Sequence, residues 1–210
     1  MIRPVQRHSF WRNASPLTCL CGGGLIIMAS DRLAHAITTA GALIWVYLLS
    51  MLAVHAGLRI FPRWGRSALL VVLTSFIASI YVLLLWIISP LCILEMFFII
   101  SLVPVICMAS GIFDRLETQY LYDKLFISFS EAVLLGLLIV IFAIIREPFG
   151  YLSLSLPGGT QGIVLLFSFE EESFQPIRLI ASSCGALLLS GYFLGLYRYF
   201  KTVETSKGEK

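Results

Sequence analysis

From Ser67 to Leu94 the chain carries no charged residue, and from Met96 to Phe113 it again carries none. Apolar runs of this length are what a bilayer demands. A helix rises about 1.5 Å per residue, so about 20 residues cross the roughly 30 Å of hydrocarbon. Inside lipid every backbone N–H and C=O must be satisfied within the protein, and a helix does this within one segment. Only 13% of the 210 residues are charged and 59% are hydrophobic, against about 25% charged in a typical soluble domain. The mean hydropathy is +0.92. The fold class this predicts is an all-α integral membrane protein.

Six spans can be drawn: Leu17–Ala29, Leu33–Ile60, Ala68–Ile88 closed by Ser89-Pro90, Leu91–Phe113, Leu125–Ile145 closed by Arg146-Glu147-Pro148, and Ile177–Phe200. Residues 1–16 then form a cytoplasmic N-terminal segment, 17–200 the six-span membrane domain and 201–210 a polar cytoplasmic tail. The basic start lacks a small-residue cleavage site after its apolar stretch, so the first segment is read as retained. Of the fifteen Lys and Arg residues, an N-in, C-in topology leaves only Arg32, Arg146 and Arg178 on the outer side. That bias fits the positive-inside rule and a multi-pass protein of the bacterial inner membrane. The net charge of +3 forms no basic stripe, which excludes a nucleic-acid partner.

Spans one and four differ from the others. Span one is short and contains Gly22-Gly23-Gly24, while span four contains Pro104. Glycine and proline disfavour continuous helix. Each of these spans opens a group of three, so the chain reads as two inverted three-helix repeats with interrupted first and fourth helices. Broken helices at matching positions mark the centre of such scaffolds. The candidate site is therefore the midplane between Gly22–Gly24 and Val103–Cys107. The competing explanation is that Gly and Pro simply let helices pack closely.

Few residues carry ionisable chemistry inside these spans. Glu131 lies about two turns into span five, where an ionised carboxylate is expensive; it could bind a cation or proton, or pair with another subunit, and the alternative is that it snorkels to the inner interface. Glu95 lies near the start of span four, where a helix dipole favours it. His35 and His55 fall near the ends of span two as interfacial polar residues. The five cysteines, Cys19, Cys21, Cys92, Cys107 and Cys184, lie in or beside apolar segments, and their odd number argues against a disulfide framework. They are either small buried hydrophobes or, for some, metal ligands. Between Glu147 and Pro176 runs the longest connection. Its apolar middle, Gly162–Phe169, either dips into the interface or re-enters the membrane, or it forms one strand-like stretch in an ordinary surface loop. No GxGxxG, phosphate loop, HExxH or GxSxG is present.

Several ordered elements resemble the RnfE/NqrD family, the small six-span membrane subunits of the Rnf electron-transport complex and the sodium-pumping NADH:quinone reductase. They are Phe10-Trp11-Arg12-Asn13-Ala14-Ser15-Pro16-Leu17, the register of Leu25–Ala36, the apolar Phe97–Cys107, and Ile145-Arg146-Glu147-Pro148-Phe149-Gly150. The resemblance covers roughly Phe10 to Phe200. It implies a non-catalytic subunit that pairs with a homologous six-span subunit of opposite topology, alongside further redox subunits. Together they would carry electrons across the membrane, coupled to Na+ or H+ movement. It also implies a [2Fe-2S] cluster shared between the paired subunits, lined by Gly22, Gly23, Gly24 and Val105. The family's ligand positions fall here on Gly24 and Val105, with Cys21 three residues before the first and Cys107 two after the second. Either the broken helices have slipped and Cys21 and Cys107 are the metal ligands, or the subunit has lost the cluster and serves as a non-redox transporter or scaffold.

Overall fold

The computed structural model describes residues 16–57, 66–110, 121–159, 162–168, 178–193 and 195. The chain is mostly helical. In order it forms α1 (Pro16–Ala29), α2 (Leu33–Gly57), α3 (Arg66–Ile88), α4 (Pro90–Ala109), α5 (Leu121–Tyr151), β1 (Ser153–Pro157), β2 (Ile163–Ser168) and α6 (Arg178–Ala181). A further apolar helix, α7, spans Ser183–Phe193. Four segments are long and apolar enough to cross a membrane: Leu33–Gly57, Ala68–Ile88, Pro90–Ala109 and Leu121–Tyr151. The expected N-terminal segment, the tail and the ends of the sixth span lie outside the described residues.

Three sequence expectations change. First, α1 runs unbroken through Gly22–Gly24, and α4 runs unbroken through Pro104. A membrane helix tolerates these residues because neighbouring helices accommodate the local loss of hydrogen bonding. The described helical break falls instead at Ser182, between α6 and α7. Second, α5 does not stop at Ile145. It continues through Pro148 to Tyr151, and the Leu152 amide then donates to the Pro148 carbonyl at 3.1 Å. Proline removes one donor but leaves its own carbonyl free to carry the ladder on. Third, the described part of the long connection forms a two-stranded antiparallel sheet pairing Ser153 with Ser168 and Pro157 with Ile163. Gly159 and Gly162 close it with positive φ values of 63° and 78°, a region glycine enters without steric cost.

The start of α4 shows how locally these bounds are set. Pro90 occupies its first turn, where the missing N–H costs nothing and the ring fixes a helical φ. At the other end the Ser110 amide returns to the Ile106 carbonyl.

α2 is the central element. Its face of Ala36, Leu43, Val46, Tyr47 and Met51 is buried, and its largest partner is α5. The two run antiparallel, since Leu33 meets Glu147 at one end and Ala40 abuts Gly136 further along. α3 packs on α2 and α4, and α1 packs on α4 and α5. The first and fourth spans therefore meet, as expected, but as continuous helices. Outward, α3, α4 and α5 present Phe76, Ile87, Leu94, Phe97, Phe98 and Leu137, an apolar belt suited to lipid.

Candidate functional site

Two buried polar groups are built into the bundle, one at each side of its middle. The first gathers where α1, α2, α5 and α6 meet. Arg146 is 1% exposed. Its Nη1 donates to the Ile27 carbonyl at 3.0 Å and to Ser30 Oγ at 2.6 Å. Its Nε donates to the Ile180 carbonyl at 3.2 Å, and Nη2 to the carbonyls of Ala181 at 2.8 Å and Ser182 at 3.3 Å. The last carbonyls of a helix have no partner within it and carry partial negative charge. One guanidinium thus caps the C-terminal ends of both α1 and α6. Asp31 lies 3.9 Å away and accepts from the Tyr151 hydroxyl at 2.9 Å.

Glu147 does the complementary task. Its Oε2 accepts from the Leu33 amide at 2.7 Å. Leu33 opens α2, so its N–H has no carbonyl within the helix, and a carboxylate there also favours the dipole. Ser182 repeats the device on a smaller scale, with its Oγ accepting from the Gly185 amide at 3.3 Å as the cap of α7. Sequence reasoning placed Arg146 and Glu147 in an outer loop. The signal that could have found their role was their adjacency to Pro148 within an otherwise helical pattern.

The second group lies deeper. Cys107 is wholly buried on α4, and Glu131 of α5 lies within electrostatic reach of its thiol. Glu131 is half-buried, with its Oε2 sealed from the surface. Extended along the seam, the contacts Leu33–Glu147 and Ala40–Gly136 set Glu131 level with the stretch from Trp45 to Leu49 of α2, and Ser128 level with that from Leu48 to Leu52. Ser50 and Ser128 are fully buried, and among the described residues neither hydroxyl has a hydrogen-bond partner. Cys107 of α4, Glu131 and Ser128 of α5 and Ser50 of α2 are thus among the buried or half-buried polar side chains of this part of the bundle.

Other expected residues fall elsewhere. Val105 is 50% exposed. Two residues along a helix turn the side chain by about 200°, so Val105 faces outward while Cys107 faces the core. Gly23 and Gly24 are partly buried, and a side chain built on either would meet nothing within 4 Å. They border open space and are not a tight helix contact. Gly22 and Cys21 belong to α1, but their side-chain surroundings lie outside the described residues. His35 meets Glu95 at 3.1 Å across the α2–α4 contact, and His55 is exposed. Glu95 itself is 59% exposed, so the ion pair adds little, but His35 is buried and His35→Ala is expected to cost about 2–3 kcal/mol in a detergent-unfolding titration through the cavity it leaves. Beside that pair the Tyr81 hydroxyl donates to the Thr38 carbonyl at 2.9 Å, reaching it over Gly41, where a Cβ would sit 2.7 Å from that oxygen. Tyr81→Phe is expected to lose about 1 kcal/mol in the same titration.

Among the described residues no three His, Cys, Asp or Glu side chains gather as a metal site. No protein-family model and no curated protein sequence matches the chain.

Proposed function

We propose that this chain is a membrane subunit of an ion-translocating electron-transport complex of the Rnf/Nqr type. In this reading it spans the bacterial inner membrane six times, as two inverted three-helix repeats with both termini cytoplasmic. It pairs with a homologous subunit of opposite topology, and it is non-catalytic by itself. The observation that supports the ion-coupling part is Glu131, a carboxylate on an apolar membrane helix with its Oε2 sealed from the surface. Ionisable groups so placed mark ion or proton pathways. A protonated carboxyl, or a cation held against a carboxylate and neighbouring hydroxyl oxygens, are the two neutral forms such a place accepts.

If a cluster is shared between paired subunits, as the resemblance implies, this chain would supply Cys107 and Cys21, the latter with a side chain outside the described residues. The second reading is a transporter or scaffold subunit that has lost the cluster, and no step of the present reading passes through one.

The test is to purify the assembled complex from native membranes. Flavin-bearing subunits that co-purify with this chain support the redox reading, and a chain that isolates without them supports the transporter. In vesicles of the assembled complex, Glu131→Gln is expected to cut redox-driven cation uptake to below about a tenth of the parent rate, with the complex still assembled. Undiminished uptake would remove Glu131 from the pathway. Iron that survives Cys21→Ala and Cys107→Ala would dismiss both as ligands.

A further inference from the structure

The hairpin of β1 and β2 is unlike a surface loop. From Leu152 to Ser168 it contains no charged residue. Its inner strand is tied down: Leu154 and Leu156 pack against the core, and Ser155 is fully buried. Its outer strand is bare. Val164, Leu165, Leu166 and Phe167 are 37%, 56%, 50% and 67% exposed. Successive residues of a strand point to opposite faces, so β2 shows apolar side chains on both faces at once. A strand lying on a water-facing surface would alternate polar and apolar residues.

The position of the hairpin indicates what covers it. Its turn rests on the corner between α3 and α4: Gly159 lies by the Ile88 carbonyl, and Gly162 abuts Leu91. The residues beside that corner, Trp86, Ile87, Ile88 and Leu91, are themselves strongly exposed and belong to the helices that cross the membrane. The apolar surface of β2 therefore continues the lipid-facing belt at the point where two membrane helices end. Trp86 and, at the base of the hairpin, Tyr151 are of the type that anchors at that level.

The backbone limits the depth. Among the described residues the sheet has two strands, so the outer edge of β2 presents N–H and C=O groups with no described strand beyond. Such an edge is not tolerated in the hydrocarbon core, whereas headgroups and interfacial water can bond it. We infer that the β1–β2 hairpin is an interfacial membrane anchor. It lies in the plane of the bilayer at the headgroup–acyl boundary, with Val164 to Phe167 inserted among phospholipids. The absence of Lys and Arg from the hairpin makes this insertion hydrophobic, without dependence on anionic lipid. It is independent of the electron-transport reading.

The experiment places the photoreactive residue p-benzoylphenylalanine at Leu165 or Phe167 of the full chain. The chain is expressed in its native membrane or reconstituted in phosphatidylethanolamine–phosphatidylglycerol vesicles. Irradiation is expected to add the mass of one phospholipid at each position, in both settings and at low or high phosphatidylglycerol. Adducts to another protein chain in native membranes would identify a protein-covered face and overturn the inference, as would the lack of any lipid adduct. Depth is read separately from Phe167→Trp, against the parent's own tryptophan signal, with phospholipids brominated at shallow or deep acyl positions. Shallow bromines are expected to quench the added fluorescence more strongly. Stronger quenching by deep bromines would mean a re-entrant segment and would overturn the interfacial placement.

Discussion

Arg146→Ala is expected to destabilise the folded chain by about 3–5 kcal/mol, the cost of breaking a buried charged network from one side. The loss has three parts. The carbonyls of Ile27, Ile180 and Ala181 lose a donor they now share, while that of Ser182 keeps the Ala186 amide, and each part-buried acceptor left bare costs up to about 1–3 kcal/mol before relaxation. The C-terminal ends of α1 and α6 also face one another without the cation between them. A cavity the size of a guanidinium remains at a place that is 1% exposed. Arg146→Lys is expected to recover less than half of the loss, because an ammonium cannot present the fork that reaches two helix ends at once. A denaturant titration of the purified chain in mild detergent measures both variants, with helix content as the readout. A loss under about 1 kcal/mol for Arg146→Ala would show that these ends hold together without the guanidinium.

Glu147→Gln is a gentler version of the same test. The amide oxygen still accepts from the Leu33 amide, so only the charge–dipole part is removed, about 0.3–1 kcal/mol. Because the carboxylate bonds a backbone N–H at 2.7 Å, Glu147→Ala is expected to cost more, by the value of the lost hydrogen bond, about 1–2 kcal/mol further.

What could be read from residues alone was whatever depends on one segment at a time. Apolar runs of membrane-crossing length are a local property, so Leu33–Gly57, Ala68–Ile88 and Pro90–Ala109 emerge with nearly the bounds expected for them. The short first segment and the contact between spans one and four were also legible. Continuity through Gly22–Gly24, Pro104 and Pro148 was not, because propensity scales describe a helix in water, and in a packed membrane bundle the neighbours decide. The same limit hid the roles of Arg146 and Glu147. A charged pair at the end of an apolar run looks like the start of a loop. Its partners, Leu33, Ile27 and Ile180, are distant in sequence, and no spacing rule joins them. Glu131 could be singled out as an intramembrane carboxylate, but its company on α2 and α4 depends on the register of α2 against α5. That register is set in part by a residue without a side chain.

Gly136 is that residue, and Gly136→Leu is expected to cost more than about 3 kcal/mol, at or beyond the upper end of overpacking effects. A Cβ at Gly136 would lie 2.9 Å from the Cβ of Ala40 and 3.3 Å from its Cα. The obstacle is thus backbone and its first carbon, with no flexible side chain to swing aside. Membrane helices gain no hydrophobic drive from meeting one another in lipid, so they depend on close backbone approach at small residues. Forcing α2 and α5 apart there would strip van der Waals contacts along the whole seam, and would shift Glu131 relative to α2. Gly136→Ala sets two effects against each other. Alanine favours helix over glycine by about 1 kcal/mol, while the clash with Ala40 costs about 1–3 kcal/mol. The pairing makes a sharper test than either change alone. Ala40→Gly removes the Cβ that Gly136→Ala strikes, so the double variant is expected to be more stable than the sum of the two single changes predicts, by about 1 kcal/mol or more. Strict additivity of the two substitutions in the detergent-unfolding titration would mean that the helices do not touch at this point, and the register of α2 against α5 around Glu131 and Ser128 would lose its anchor.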